Sequence, residues 1–81
     1  MLISTGQVRA ARALLRWTAL ELANESGVGV TTIRRIEVME GLPRAQVRTL
    51  LALKTALEKG GVEFVGSPED GPGVRMRPSS P

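Results

Sequence analysis

Apolar residues recur at helical spacing in four stretches of this chain and switch to alternation in a fifth. In the first stretch Val8, Ala11, Leu14 and Leu15 form a stripe. Ser4-Thr5-Gly6-Gln7 precedes it and fits a capping box, with a hydroxyl at the cap and a Gln three residues later. A helix is predicted from there to about Arg16 or Trp17, with Arg9, Arg12 and Arg16 toward another face. Arg9 and Arg16 read as solvated. Thr18-Ala19-Leu20-Glu21 repeats the capping pattern and predicts a short helix through "ALELANE", with Leu20, Leu22 and Ala23 as its apolar contacts. Gly27 follows, and glycine readily takes the left-handed conformation that ends a helix.

The third helix is predicted over about 30–38. Ile33 and Ile36 face the core with Val28 just before them, which leaves Thr31, Arg34, Arg35 and Val38 toward solvent or a partner. Gly41 breaks the pattern. Pro43 suits the first turn of a fourth helix, where its missing N–H costs nothing. That helix should run to Lys59. Its band of Val47, Leu50, Leu51, Ala52, Leu53, Ala56 and Leu57 is wider than one neighbour needs, which suggests a second subunit. Beyond Gly60-Gly61, Val62 and Phe64 alternate with Glu63, and Val74 and Met76 with Arg75 and Arg77. This period of two predicts a β-hairpin joined by the long connection "GSPEDGPG". A lone hairpin is marginal in water, so it must pack on the helices or on a partner's hairpin. The expected organisation is a helical domain over 1–60, a hairpin over 61–77 and a disordered tail over 78–81.

The chain has 81 residues, enough for one small domain. Such a domain buries roughly 60 to 65% of its unfolded surface and gains from a partner. There is no Cys and no His, which removes disulfides, thiolate and imidazole metal ligands and the commonest general base. No activated nucleophile and no carboxylate ligand cluster is evident, so neither an enzyme nor a cofactor or metal is expected. No segment nears the ~20 apolar residues of a membrane span, and "MLISTGQVRA" lacks the features of a secretory signal. A cytoplasmic protein without membrane contact is expected. Eleven Lys and Arg oppose eight Asp and Glu. Most of the cations are Arg, whose planar donor fork suits phosphate and guanine.

Residues 18–37 carry the most information. Two short helices meet at the tight turn "SGVG", small Ala23 permits close approach, and Ile33 and Ile36 anchor the second helix from behind. That is helix-turn-helix spacing, which places the second helix in the major groove of DNA. Over about residues 5–58 the chain resembles the Cro/CI-like helix-turn-helix regulators, the xenobiotic-response-element family. The stretches "RAARALLRWT", "ELANESGV", "TTIRRIE" and "LLALKTAL" carry the resemblance. It implies a mainly α fold, a four-helix lambda-repressor-like helix-turn-helix domain with a C-terminal β-hairpin, and it implies binding to double-stranded DNA.

The resemblance also implies roles. Arg12 should pair with Glu37 as a structural salt bridge. Thr18, with the N–H groups behind it, should hold a phosphate, whereas Ala19 stands where the family often has Gln. Base reading falls on Val30, Thr31, Arg34 and Arg35, with Arg35 the foremost candidate for a guanine contact. Arg44 and Arg48 are candidate phosphate contacts. Gly29 stands where a Ser or Thr cap is usual, at a cost of only a few tenths of a kcal/mol. Val30 offers methyl groups to a thymine methyl. Trp17 reads as a packing residue.

Three function classes remain open. The first is a dimeric transcriptional repressor, with Val62, Phe64, Val74 and Met76 at the homodimer interface. The second is an antitoxin with a toxin partner. The third is a helix-turn-helix fold used only for protein contacts, favoured by Ala19, Gly29 and Val30.

Overall fold

Ser4 opens the first helix with the reciprocal bonds its sequence predicts. In the structure, a computed structural model that describes residues 3–78, the Ser4 hydroxyl accepts the Gln7 N–H at 3.1 Å, and the Gln7 amide oxygen accepts the Ser4 N–H at 2.8 Å. Both donors would otherwise be unpaired at a helix start. Helix α1 (Thr5–Leu15) follows and ends where Arg16 turns left-handed, at φ 58°. Thr18 and Glu21 cap α2 (Ala19–Ser26) in the same way, and Gly27 ends it at φ 77°. Then come α3 (Val30–Glu37), α4 (Val47–Lys59) and an antiparallel pair, β1 (Val62–Ser67) and β2 (Asp70–Met76). Among the described residues the fold is mainly helical, with four helices and a C-terminal hairpin. The tail expected at 78–81 lies, from residue 79 on, outside the described residues.

One core serves helices and hairpin alike. Ile3, Val8 and Ala11 meet Leu22, Ile33 and Ile36, the α4 residues Leu50, Leu53, Ala56 and Leu57, and Val62 and Phe64 of β1. The hairpin is therefore not a unit apart. Val62 and Phe64, expected at a subunit interface, are 1% and 8% exposed inside the protomer's own core. The cause is that two strands alone cannot shield an apolar face, and α1 and α4 supply the nearest cover. Val74 packs partly on the same core, and Met76 stays 44% exposed. The wide band of α4 divides: four residues go inward, while Val47 and Leu51 stay exposed. Leu14 and Leu20 lie off the buried sides of their helices and are exposed as well.

Gln7 clasps the hairpin to α1. Its amide oxygen serves the cap, and its Nε2 donates to the Val65 carbonyl at 3.1 Å and to the Gly73 carbonyl at 3.0 Å. One buried side chain thus closes a helix end and holds both strands.

Pro43 does not begin α4. Residues 38–46 fold back over the start of α1 instead. The Thr5 N–H donates to the Gly41 carbonyl, and the Thr5 hydroxyl to the Met39 carbonyl, both at 2.9 Å. These long-range bonds outweigh the local preference of Pro for a first helical turn, and the helix begins at Val47. The hairpin connection is also shorter than expected. Ser67 pairs with Asp70, so only Pro68 and Glu69 turn the chain. Gly66 permits this. Its φ is +72°, and a Cβ there would lie 2.3 Å from the Gly71 carbonyl oxygen, beside the register shift of a β-bulge.

Gln7→Glu keeps an acceptor for the Ser4 N–H but turns a carboxylate oxygen toward two carbonyls. Near pH 7 it should destabilise the fold by about 3 kcal/mol. Burial against two carbonyl oxygens raises the carboxyl pKa, so the penalty is present above that pKa and shrinks relative to wild type as pH falls through it. Urea unfolding of both proteins at neutral and acidic pH measures this. Equal midpoints at neutral pH would remove Gln7 from the role of clasp.

Candidate functional site

An eight-residue helix is too short to persist alone in water, so α3 is held by what lies behind it. Ile33 and Ile36 are fully buried, and Glu37 is 8% exposed. The helical repeat turns Thr31, Arg34, Arg35 and Val38 to the opposite side, where all four are exposed, with Val30 half-buried at the edge. Among the described residues the Arg34 and Arg35 side chains make no ion pair and no hydrogen bond. Both lie in the last turn of α3, where a cation favours the helix dipole by about 0.3–1 kcal/mol at the surface. Gly29 starts the helix in extended conformation with no side-chain cap bond.

Behind α3, Arg12 grips Glu37 with two parallel bonds. Nε donates to Oε2 at 2.9 Å, and Nη2 to Oε1 at 2.8 Å. The fork geometry matches a carboxylate on both oxygens. The third arm of Arg12, Nη1, donates to the Trp17 carbonyl at 2.9 Å. One guanidinium therefore joins α1, α3 and the link to α2. The hydrogen bond to Glu37 raises the Arg12 pKa above its usual value; burial opposes this and the Glu37 charge adds to it. A raised pKa means that the part of the stabilisation owed to the Arg12 charge is whole at ordinary pH and is lost as pH rises into strong alkali.

Arg9 takes a part that the sequence did not reveal. Its Nη1 donates to the Glu37 carbonyl, an acceptor at the end of α3 with no other partner among the described residues. Helical spacing had put Arg9 on the Arg12 side, and that was the available signal.

The flanks are mixed. The Thr18 hydroxyl accepts the Glu21 N–H at 3.0 Å, and Glu21 accepts the Thr18 N–H at 2.8 Å. The α2 start, expected to hold a phosphate, already carries a carboxylate. The Thr18 hydroxyl proton remains free to donate. Arg44 is exposed, and its backbone N–H rests on the Met39 sulfur at 3.3 Å. Arg48, also exposed, donates from Nε to the Gln46 amide oxygen at 3.1 Å. Between Gly27 and Arg48 the exposed charges are Arg34, Arg35, Arg44 and Arg48 against Glu40 alone. Trp17 packs on the core beside Gly60, where a Cβ would come within 3.0 Å of its ring.

Among the described residues no group of three His, Cys, Asp or Glu side chains could hold a metal ion, and no helix is long and apolar enough to cross a membrane. Compared with known proteins, the chain matches no family model and no curated protein.

Arg12→Ala strands the buried Glu37 carboxylate. It should cost on the order of 3 kcal/mol, the lower end for a broken buried pair because Arg12 is partly exposed. Arg12→Met with Glu37→Leu removes both charges and should unfold at a higher urea concentration than Arg12→Ala. Equal midpoints for the two variants would contradict a buried, coupled pair.

Proposed function

We propose that the chain is a sequence-specific DNA-binding regulator of the Cro/CI-like kind, in which α2 and α3 act as a helix-turn-helix and α3 enters the major groove. The observation that carries this reading is the outer face of α3. A short helix held firmly from behind presents Thr31, Arg34 and Arg35 outward, with two guanidinium groups that no side chain or carbonyl among the described residues engages. Arg35 donates in a fork to guanine, Thr31 meets a base edge, and Val30 meets a thymine methyl. Arg34 reads a base or holds a phosphate. Arg44 and Arg48 contact the backbone, with Arg48 already oriented by Gln46. Thr18 contributes only its hydroxyl proton, because Glu21 occupies the helix start. Two copies place two α3 helices on half-sites about 34 Å apart, and occupancy of such a site represses transcription.

A second reading, a module for protein contacts, draws on one observation. Val38, the residue that ends α3 on the same side, is 80% exposed, and Leu42 just beyond it is 43% exposed.

Fluorescence anisotropy on labelled duplexes at several salt concentrations separates the two readings. Arg44→Ala should weaken all sequences alike and reduce the salt slope by about one unit. Arg35→Ala should cost ~1–3 kcal/mol on the preferred duplex and relax the choice at one base pair. Duplex affinity that is unchanged by both substitutions would overturn the assignment of this face.

A further inference from the structure

The hydrogen-bonding parity of the hairpin tells which backbone groups face away from it. The Arg77 N–H donates to the Gly61 carbonyl at 2.8 Å, so 61 and 77 form a hydrogen-bonded pair. Along the register Glu63↔Arg75 and Val65↔Gly73 share that parity, whereas Val62↔Met76 and Phe64↔Val74 are non-hydrogen-bonded pairs. The N–H and C=O groups of Val74 and Met76 therefore point sideways out of β2. No backbone bond among the described residues receives them. The next positions of the same parity are Pro72 and Pro78, which have no N–H to offer. The free edge is two donors long with a proline at each side.

We infer that this edge pairs antiparallel with the same edge of a second copy, Val74 opposite Met76 and Met76 opposite Val74. The inference rests on the reading of paired copies above and gives that pairing its contact. The prolines select the register. A shift by two residues in either direction sets a proline ring against the carbonyl of Met76 or of Val74, where a donor is needed. In the inferred register all four outward N–H groups find carbonyls, and the prolines fall beyond the paired segment. On the core side Val74 and Met76 meet their counterparts, which covers the 44% exposed Met76. On the other face the two Arg75 side chains lie opposite each other. Each is ion-paired to Glu63 of its own hairpin, so the row reads Glu–Arg–Arg–Glu and the carboxylates offset the like charges.

The absence of cysteine gives a clean test. Residue 75 falls at the non-hydrogen-bonded centre of the joined strands, where Cα atoms lie about 4.5 Å apart, within disulfide range. Arg75→Cys, mildly oxidised without DNA, should shift to a linked dimer on a non-reducing gel, and Asp70→Cys at the hairpin tip should not. Adding Met76→Pro to Arg75→Cys removes an outward donor and leaves the bonds to β1 intact, so the link should be lost while circular dichroism stays helical. A folded Arg75→Cys chain that remains unlinked would overturn the inference. So would a link that survives Met76→Pro or that forms equally at 70. A dimer of the unaltered chain in sedimentation without linkage at 75 would put the contact elsewhere, with the outer face of α4 or a different partner for β2 as the remaining occupants. Linkage without duplex binding would remove the DNA reading and leave this contact standing; duplex binding without linkage would do the reverse.

Discussion

The buried carboxylate of Glu37 is the point on which the arrangement of α3 depends. A charge this far from water is tolerable only with a partner and with hydrogen bonds on both oxygens. Arg12 supplies both, and its remaining arm reaches the Trp17 carbonyl. Arg9 adds a bond to the carbonyl at the same helix end. With Ile33 and Ile36 beneath, α3 is held by its back from Ile33 to Glu37, and Thr31, Arg34 and Arg35 stay exposed on its outer side. That division of labour leaves Thr31, Arg34 and Arg35 available for an external contact.

The same economy of charge extends over the surface. Arg12, Lys54 and Arg75 are matched by Glu37, Glu58 and Glu63. Arg9 and Arg77 serve backbone carbonyls. The net charge of +3 is therefore unevenly distributed. Four exposed arginines lie between residues 34 and 48, against one exposed carboxylate. A field of one sign over a short stretch attracts phosphate more strongly than the same charges dispersed.

Much of the helical part was legible because its signals are local. Ser4 with Gln7, Thr18 with Glu21, and Gly27 each act within one turn, and the helices begin and end by them. The α4 start was not legible, because Thr5 recruits the carbonyls of Met39 and Gly41 from over thirty residues away. Alternation identified the apolar side of the hairpin at Val62 and Phe64 but not what would cover it, and the cover proved to be the chain's own helices. Gln7 shows the same limit. Its capping role is written in the four residues around it, whereas its grip on Val65 and Gly73 depends on a contact that no local pattern encodes. At the candidate site the Arg12–Glu37 pair was foreseen through the family resemblance, and the outward set on α3 through helical spacing. The occupation of the α2 start by Glu21 was implicit in the capping box, and it bears directly on Thr18.

The most direct measurement is selection of bound duplexes from a random pool by the full chain at moderate salt. The account predicts enrichment of a two-fold symmetric motif whose half-sites contain a guanine, with the motif altered at that position for Arg35→Ala. Salt-sensitive binding with no enriched sequence, or no binding at all, would contradict the claim that the outer face of α3 reads DNA.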